Sequence, residues 1–183
     1  VRYAIEHTGS AFDSERAAKV LDHLTRGLDE IHAAEVIHRD LKPSNVLSCG
    51  FGQDEIFKIS DFGIARPTGL SSTFGDLTLG TPGYVAPEQV HLRDEIGPWT
   101  DVFSLASVMY FVLTGQKYFK VPSSVEGVMA ASSNKRASVL DHDGLCAELR
   151  EDPVACAAID DVLRRSTAPD PKQRIQYARL FAL

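Results

Sequence analysis

The clearest pattern of apolar and polar positions lies between residues 14 and 34. Apolar residues recur there at alternating steps of four and three, which places them on one stripe of an α-helix. Asp13 or Ser14 precedes the first turn and offers a side-chain oxygen to cap it. We therefore predict an amphipathic helix over 14–34 that buries one face. The stripe consists of Ala17, Leu21, Leu24, Leu28 and Ile31.

A second apolar run, 101–114, has hardly any polar side. A helix that is apolar on nearly all sides belongs in the centre of a domain. Gly115 is expected to end it, because glycine tolerates the left-handed conformation of a C-cap. Further on, Asp152 and Pro153 have the form of an N-cap followed by proline at the first helical position. They predict a third helix that runs to about residue 166.

The remaining segments are shorter or less regular. Residues 46–47 and 56–59 predict two short strands around a turn rich in glycine and aspartate. Residues 1–7 are interpreted as another strand, and a last helix is expected near 173–183. Residues 64–85 have no periodicity, and a loop of that length in a compact domain is usually functional. The expected fold class is mainly α with short β-strands.

Composition narrows the class of protein. The chain has 183 residues, 44% of them hydrophobic and 24% charged, which is ordinary for a globular domain. A net charge of −6 argues against nucleic-acid binding, which needs a basic surface. Three cysteines without metal-ligand spacing predict reduced thiols and a cytoplasmic location. No membrane segment is predicted, although a parent protein could be anchored elsewhere.

The candidate chemistry is concentrated in HRDLKPSN, residues 38–45. Asp40, Lys42 and Asn45 place a carboxylate, an ammonium group and an amide within six residues, and Asp61 adds a second carboxylate. Phosphoryl transfer needs a group that orients the attacking hydroxyl, a cation for the migrating phosphoryl group, and oxygen ligands for Mg²⁺. These side chains supply all of these groups.

Four sequence blocks occur in one order along the chain: HRDLKPSN, KISDFG, GTPGYVAPE and TDVFSLA. Together they resemble the C-terminal lobe of a eukaryotic-like (Hanks-type) serine/threonine protein kinase. The resemblance covers nearly all of residues 1–183, with a catalytic loop at 38–45 and an activation segment at 61–88. It implies transfer of the ATP γ-phosphoryl group to a hydroxyl of a protein substrate, with Mg²⁺ as the metal.

The resemblance assigns roles to individual side chains. Asp40 is expected to accept or orient the substrate hydroxyl proton, and Lys42 to neutralise charge on the transferred phosphoryl group. Asn45 and Asp61 are expected to bind Mg²⁺. Thr81, in GTPGY, is expected to hydrogen-bond Asp40 and Lys42. Lysine in this loop is typical of serine/threonine kinases rather than tyrosine kinases.

Two further roles are regulatory. Arg39 is expected to pair with a phosphorylated residue in the loop after DFG, through charge-assisted hydrogen bonds. Thr73 and Thr78 are the candidate phosphorylation sites, because both lie upstream of GTPGY.

Three residues have expected structural roles. Glu88 and Arg174 are expected to form a buried ion pair, and Asp101 to accept hydrogen bonds from the backbone of 38–40. Loss of one partner of a buried pair typically costs about 3–5 kcal/mol.

Half of the nucleotide site has no counterpart in the chain. The 37 residues before the catalytic loop contain no Gly-rich loop, no V-A-I-K lysine and no helix for its glutamate partner, and the chain begins at Val1. The interpretation is a fragment or half of a split kinase, with the N-terminal lobe in the parent chain or in a partner. Glu6 is the candidate hinge residue, at the end of the strand expected over 1–7.

Two alternatives stay open at this point. A lobe that lacks the phosphate-anchoring lysine could be catalytically incompetent and act as a binding or scaffold module. A small-molecule kinase of the aminoglycoside or choline type shares the Asp and Asn chemistry. That class would lack Lys42 and the GTPGYVAPE block, and the chain has both, so a protein kinase is favoured.

Overall fold

The computed structural model describes residues 1–8, 11–61, 81–90, 95–119 and 136–181. Helices dominate this part of the chain, and its β-structure is one two-stranded sheet. The predicted class, mainly α with short strands, is confirmed. None of the helices in the described ranges is long and apolar enough to cross a bilayer.

Within the described ranges, five α-helices and two strands make up the framework. The helices are α1 (Arg2–Thr8), α2 (Ser14–Ala33), α3 (Pro98–Thr114), α4 (Ala147–Arg150) and α5 (Pro153–Ser166). The strands are β1 (Val46–Cys49) and β2 (Ile56–Ile59). Single 3₁₀ turns connect them at Pro43–Asn45, Gly52–Asp54, Pro87–Gln89, Val139–Asp141, Pro171–Gln173 and Ala178–Leu180.

Helix α2 follows the predicted stripe. Asp13 is its N-cap, with a side-chain oxygen that accepts from the backbone N–H of Arg16 at 2.8 Å. Ala17, Leu24 and Leu28 are buried, and the other two members of the stripe are partly buried against the same core. The apolar face of α2 therefore packs inward along its whole length.

Helix α3 is the centre of the domain, as predicted. Every residue from Thr100 to Thr114 is buried. Pro98 takes the first helical position, so the helix begins three residues earlier than expected. Gly115 ends it at φ 71°, and its N–H donates to the Phe111 carbonyl oxygen at 2.8 Å.

The two strands form an antiparallel hairpin, also as predicted. Val46 pairs with Ile59 at its open end, and Cys49 pairs with Ile56 near the turn. The turn needs Gly50, because its φ is 84° and a Cβ there would lie 2.6 Å from the Asp54 carbonyl oxygen. The third predicted helix is also present as α5, capped by Asp152, whose side chain accepts from two N–H groups of the first turn.

Two expectations about short segments are wrong. Residues 2–8 form helix α1 and not a strand, because Val1, Ala4 and Ile5 share one helical face that packs against the core. The helix expected near 173–183 is replaced, over the described residues, by two 3₁₀ turns. The backbone of Arg174 is extended between them, since its side chain turns inward to an acidic partner.

Candidate active site

The candidate catalytic loop, residues 38–45, is attached to the central helix through Asp101. This carboxylate lies in the first turn of α3, where the helix dipole favours negative charge, and it is fully buried. It accepts from the backbone N–H of His38 at 2.9 Å and from that of Arg39 at 2.8 Å. These are the backbone contacts expected of Asp101. Arg39 has φ 65°, a strained conformation that needs such support.

Two residues that the sequence analysis missed complete this support. Nε2 of His32, at the end of α2, lies 2.8 Å from a carboxylate oxygen of Asp101. The Gln89 side chain donates to the Arg39 carbonyl oxygen at 2.6 Å and accepts from the Ala86 N–H at 3.0 Å. The sequence gives no signal for the contact of His32 with Asp101 or of Gln89 with Arg39, because each pair is separated by at least 50 residues.

His38 joins the catalytic loop to the segment that leads to Asp61. Its Nδ1 accepts from the Asp40 N–H at 3.3 Å, and its Nε2 lies 3.1 Å from the Ser60 carbonyl oxygen. A backbone N–H only donates and a carbonyl only accepts, so the ring is the neutral Nε2–H tautomer. The imidazole is buried and holds the two loops together.

Asp40, Lys42 and Asn45 lie together, as their spacing predicted. Lys42 Nζ donates to an Asp40 carboxylate oxygen at 2.7 Å, and both side chains stay partly open to solvent. The Asn45 amide nitrogen donates to the Asp40 carbonyl oxygen at 2.9 Å. The loop thus presents a carboxylate and an ammonium group side by side at an accessible surface.

Asp61 is linked to this loop through the hairpin. The Ser60 N–H donates to the Asn45 carbonyl oxygen at 2.8 Å, so the residue before Asp61 is bonded directly to Asn45. Asp61 is exposed and has φ 50°, a second left-handed residue beside the catalytic loop. Among the described residues, its carboxylate has no hydrogen-bond or ion-pair partner.

The donors in this site suit Mg²⁺. The Asn45 amide nitrogen is committed to Asp40, which leaves Oδ1 as an acceptor with only a 3.4 Å contact from Ser44 Oγ. One carboxylate and one amide oxygen are the kind of ligands that bind Mg²⁺ when phosphate oxygens complete its shell. Over the described ranges no cluster of three or more metal-binding side chains occurs.

The contact expected of Thr81 is not present. Within the part of the chain that the structure covers, its hydroxyl makes no hydrogen bond to Asp40 or Lys42. The Asp40 carboxylate is instead occupied by Lys42 and by a longer contact, 3.4 Å, from Asn45. The Thr81 carbonyl oxygen accepts from the Tyr84 N–H, within the turn of 81–84.

The segment 81–90 is anchored by the predicted ion pair. Nη1 and Nη2 of Arg174 donate to the two Glu88 oxygens at 2.6 and 2.9 Å, and both side chains are buried. Arg174 Nε donates to the Ala168 carbonyl oxygen, and Thr100 Oγ1 donates to Glu88 at 2.8 Å. The buried charges are therefore paired and hydrogen-bonded, the condition under which such a pair is tolerated.

The remaining predicted residues lie elsewhere or outside the described ranges. Thr73 and Thr78 are not among the described residues. The Arg39 side chain has no ion-pair partner within the described ranges. Glu6 lies in α1, exposed and paired with Arg2 at 2.8 Å. Its hinge assignment assumed a strand that ends there, and the helix removes that basis.

A loop with a paired Asp and Lys, followed by a hairpin that leads to a further carboxylate, is the residue pattern expected of a phosphotransferase. The profile of the family described as "Protein kinase domain" matches residues 2–182. The chain belongs to this family.

The curated relatives are named as bacterial serine/threonine kinases. The chain is 33% identical to "Serine/threonine-protein kinase PknB" of Mycobacterium tuberculosis over 181 residues, 95% of this chain and 26% of that protein. It is 34% identical to PknJ of the same species over 91% of this chain and 27% of that protein. It is 36% identical to "Probable serine/threonine-protein kinase PkwA" of Thermomonospora curvata over 79% of this chain and 18% of that protein. The chain thus spans about a quarter of the length of the first two relatives.

Proposed function

We propose that the chain forms the catalytic lobe of a serine/threonine protein kinase that transfers the ATP γ-phosphoryl group to a protein hydroxyl. The observation that supports this most is the bond from Ser60 to Asn45, which brings the free carboxylate of Asp61 to the loop of Asp40 and Lys42. All groups that the transfer requires from this lobe then share one surface.

In this proposal Asp40 orients the substrate hydroxyl and accepts its proton as the bond to phosphorus forms. Lys42, 2.7 Å from Asp40, neutralises negative charge on the migrating phosphoryl group. His38 and Asp101 fix the backbone of the loop through hydrogen bonds. Asp40 is therefore already in position before the substrate binds. Positioning is then the main contribution of this loop.

Asn45 and Asp61 would hold Mg²⁺ through Oδ1 and the free carboxylate. The ion supplies charge neutralisation at the ATP phosphates when it is bound. The rigid amide of Asn45, fixed by its bond to the Asp40 backbone, contributes an oxygen in one orientation. This arrangement fits a metal that is shared with the nucleotide.

The same proposal includes regulation by phosphorylation and an N-terminal lobe that completes the nucleotide site. The side chain of Arg39, which has no ion-pair partner among the described residues and precedes the proposed catalytic base, would bind a phosphorylated Thr73 or Thr78. An N-terminal lobe, in the parent chain or in a partner, would supply the Gly-rich loop and the lysine. The need for MgATP and the three free cysteines favour a cytoplasmic lobe.

A non-catalytic binding module is the second candidate. The hairpin that leads to the candidate site exposes three large apolar side chains, Leu47, Phe51 and Ile56. Exposed apolar groups of this kind mark surfaces that other chains or domains cover. The same observation suits a split kinase whose other lobe sits on the hairpin.

The decisive experiment measures phosphotransfer by the natural full-length protein and by its Asp40→Asn variant. We expect a rate loss of about 100-fold or more, because a positioned acid–base group contributes about 10²–10⁴-fold. MgATP binding and the urea midpoint should stay near wild type, since the isosteric amide keeps the loop packed. Wild-type turnover by Asp40→Asn would refute the assigned role. Absence of both MgATP binding and phosphotransfer in the natural protein would favour the binding module.

A further inference from the structure

The hairpin of β1 and β2 carries both candidate metal ligands at its open end. Asn45 directly precedes β1, and Asp61 follows β2 by two residues. A two-stranded hairpin alone is marginally stable at best in water. Contacts from outside the hairpin must therefore fix Asp61 relative to Asn45.

Helix α2 lies along β2 and provides these contacts from one face. Arg16, Lys19 and His23 stand at steps of three and four, which puts them on the same side of the helix. Arg16 donates to the two Glu55 carboxylate oxygens at 2.9 and 2.7 Å. Lys19 Nζ donates to the Gln53 carbonyl oxygen at 2.6 Å. We call the contacts of Arg16, Lys19 and His23 with the hairpin the polar seam.

Within the polar seam, His23 makes the contact that is nearest to Asp61 along the chain. Its Nδ1 lies 3.0 Å from the backbone nitrogen of Phe57, in the middle of β2. The N–H can only donate, so Nδ1 is the acceptor and the imidazole is neutral. The bond satisfies an N–H of β2 that would otherwise lack a partner. It also ties the strand to a helix that the core holds in place.

Further contacts connect Phe57 to the two candidate metal ligands. The Ile59 side chain packs where α2 has Gly27, and a Cβ on that glycine would already lie 3.4 Å from Ile59 Cδ1. One residue further, the Ser60 N–H donates to the Asn45 carbonyl oxygen at 2.8 Å. Displacement of β2 from α2 would therefore act on the Ser60–Asn45 bond and on Asp61.

We propose that His23 is a positioning residue of the kinase site. Its neutral imidazole holds β2 against α2, and so keeps Asp61 and Asn45 close enough to bind one Mg²⁺. This inference depends on the proposed function only for the binding of Mg²⁺ by Asn45 and Asp61. Protonation of Nδ1 would place a donor against the Phe57 N–H and release the strand. Glu30 on α2 and Lys58 on β2 line the same pocket as the imidazole, and Lys19 precedes His23 by about one turn of α2.

Two variants separate the hydrogen bond from packing. His23→Asn keeps an oxygen near the position of Nδ1 that accepts from Phe57 and is not protonated. His23→Leu removes the acceptor. The matched controls are Arg26→Asn and Arg26→Leu, at an exposed position of the same helix, 75% open to solvent. They place the same two side chains on the same helix without contact to the hairpin.

The first measurement is amide hydrogen exchange of Phe57 and Ser60 by NMR on this chain. We expect exchange about 3- to 10-fold faster at both amides in His23→Leu, the factor that one hydrogen bond supplies. His23→Asn should match the wild type at neutral pH. On acidification, after correction for the intrinsic exchange rate, protection should fall in the wild type and persist in His23→Asn. Ser60 exchange in His23→Leu equal to that of Arg26→Leu would overturn the inference.

The second measurement is the Mg²⁺ concentration that gives half-maximal phosphotransfer by the natural full-length protein. It should rise about 3- to 10-fold in His23→Leu, with kcat at saturating Mg²⁺ nearly unchanged. A loss of kcat with no change in Mg²⁺ dependence would contradict the positioning role. If the wild type transfers no phosphate while the exchange results hold, the proposed function fails. The polar seam would then stand as a structural feature alone.

Discussion

Asp101 is the residue on which the geometry of the catalytic loop depends. Its two oxygens accept from the His38 and Arg39 backbone and from the His32 imidazole, and it has no lysine or arginine partner in the described ranges. A buried carboxylate is tolerated here because three donors and the N-terminal end of α3 stabilise it. The left-handed backbone of Arg39 needs both of its own bonds, one to Asp101 and one from Gln89.

Replacing Asp101 by asparagine tests this dependence. The amide group would face at least one of the three donors, and each buried group left without a partner costs about 1–3 kcal/mol. We expect urea unfolding of Asp101→Asn to show a loss of stability of that size, with a matching fall in phosphotransfer. Asp22→Asn is the control, because its pair with Arg26 is exposed and worth less than about 1 kcal/mol. Equal urea midpoints for the two variants would contradict the role of Asp101.

Residue types and spacing were enough to predict part of this site. Asp40, Lys42 and Asn45 are neighbours in sequence, and the structure places them together because the loop between them is short. His32 and Gln89 could not be found in this way, since their partners come from other elements. Thr81 shows the converse, an expected contact that is not formed, since within the described ranges the Asp40 carboxylate is bonded by Lys42 and Asn45.

At the scale of elements, length decided which predictions succeeded. Helices α2, α3 and α5 span three turns or more, so periodicity and caps determine them locally. Helix α1 has seven residues, too few to distinguish a helical from an alternating pattern. Its conformation follows from the packing of Ile5 against the core, and the turns near Arg174 follow from a distant ion pair. Tertiary contacts of this kind are not visible in a local window of sequence.

The pair of Arg16 and Glu55 should make the hairpin sensitive to acid. Bonds from Arg16, and a further one from Ser48, lower the pKa of Glu55. A lowered folded-state pKa contributes stability above the unfolded value, about 4.3, and this stability is lost as pH falls towards the folded value. We therefore expect Glu55→Gln to be less stable than wild type at pH 7, with a difference that shrinks below about pH 4. Urea titrations across this range measure it, and Glu148→Gln, at an exposed glutamate, is the control.

A constant difference in the free energy of unfolding between Glu55→Gln and wild type from pH 7 to pH 3 would exclude a charge-dependent contribution of the Arg16–Glu55 pair. Faster amide exchange at Phe57 in the same variant would show that the Arg16–Glu55 pair also supports the contact that His23 makes with Phe57. The two results together would assign the polar seam to one cooperative unit of the fold.

For the molecule as a whole, α3 joins segments that are far apart in sequence. Asp101 holds the catalytic loop, Thr100 donates to Glu88, and Ser104 Oγ donates to the Tyr84 carbonyl oxygen at 2.8 Å. The catalytic loop and segment 81–90 are therefore attached to successive turns of one buried helix. A helix buried on all sides can do this because Thr100, Asp101 and Ser104, in its first two turns, direct their polar atoms to these segments.

The Arg174–Glu88 pair connects the end of the chain to the same framework, and a double-mutant cycle measures its role. Arg174→Met leaves the Glu88 carboxylate buried without its main partner, so we expect a loss of about 3–5 kcal/mol in urea unfolding. Glu88→Leu should cost a similar amount. The double variant should recover much of it, because two apolar groups of similar size leave no charge uncompensated. Arg2→Met, at the exposed Arg2–Glu6 pair, should change stability by less than about 1 kcal/mol. Additive losses in the double variant would mean that the two charges act independently, and that Arg174 stabilises segment 81–90 through its carbonyl contacts rather than through Glu88.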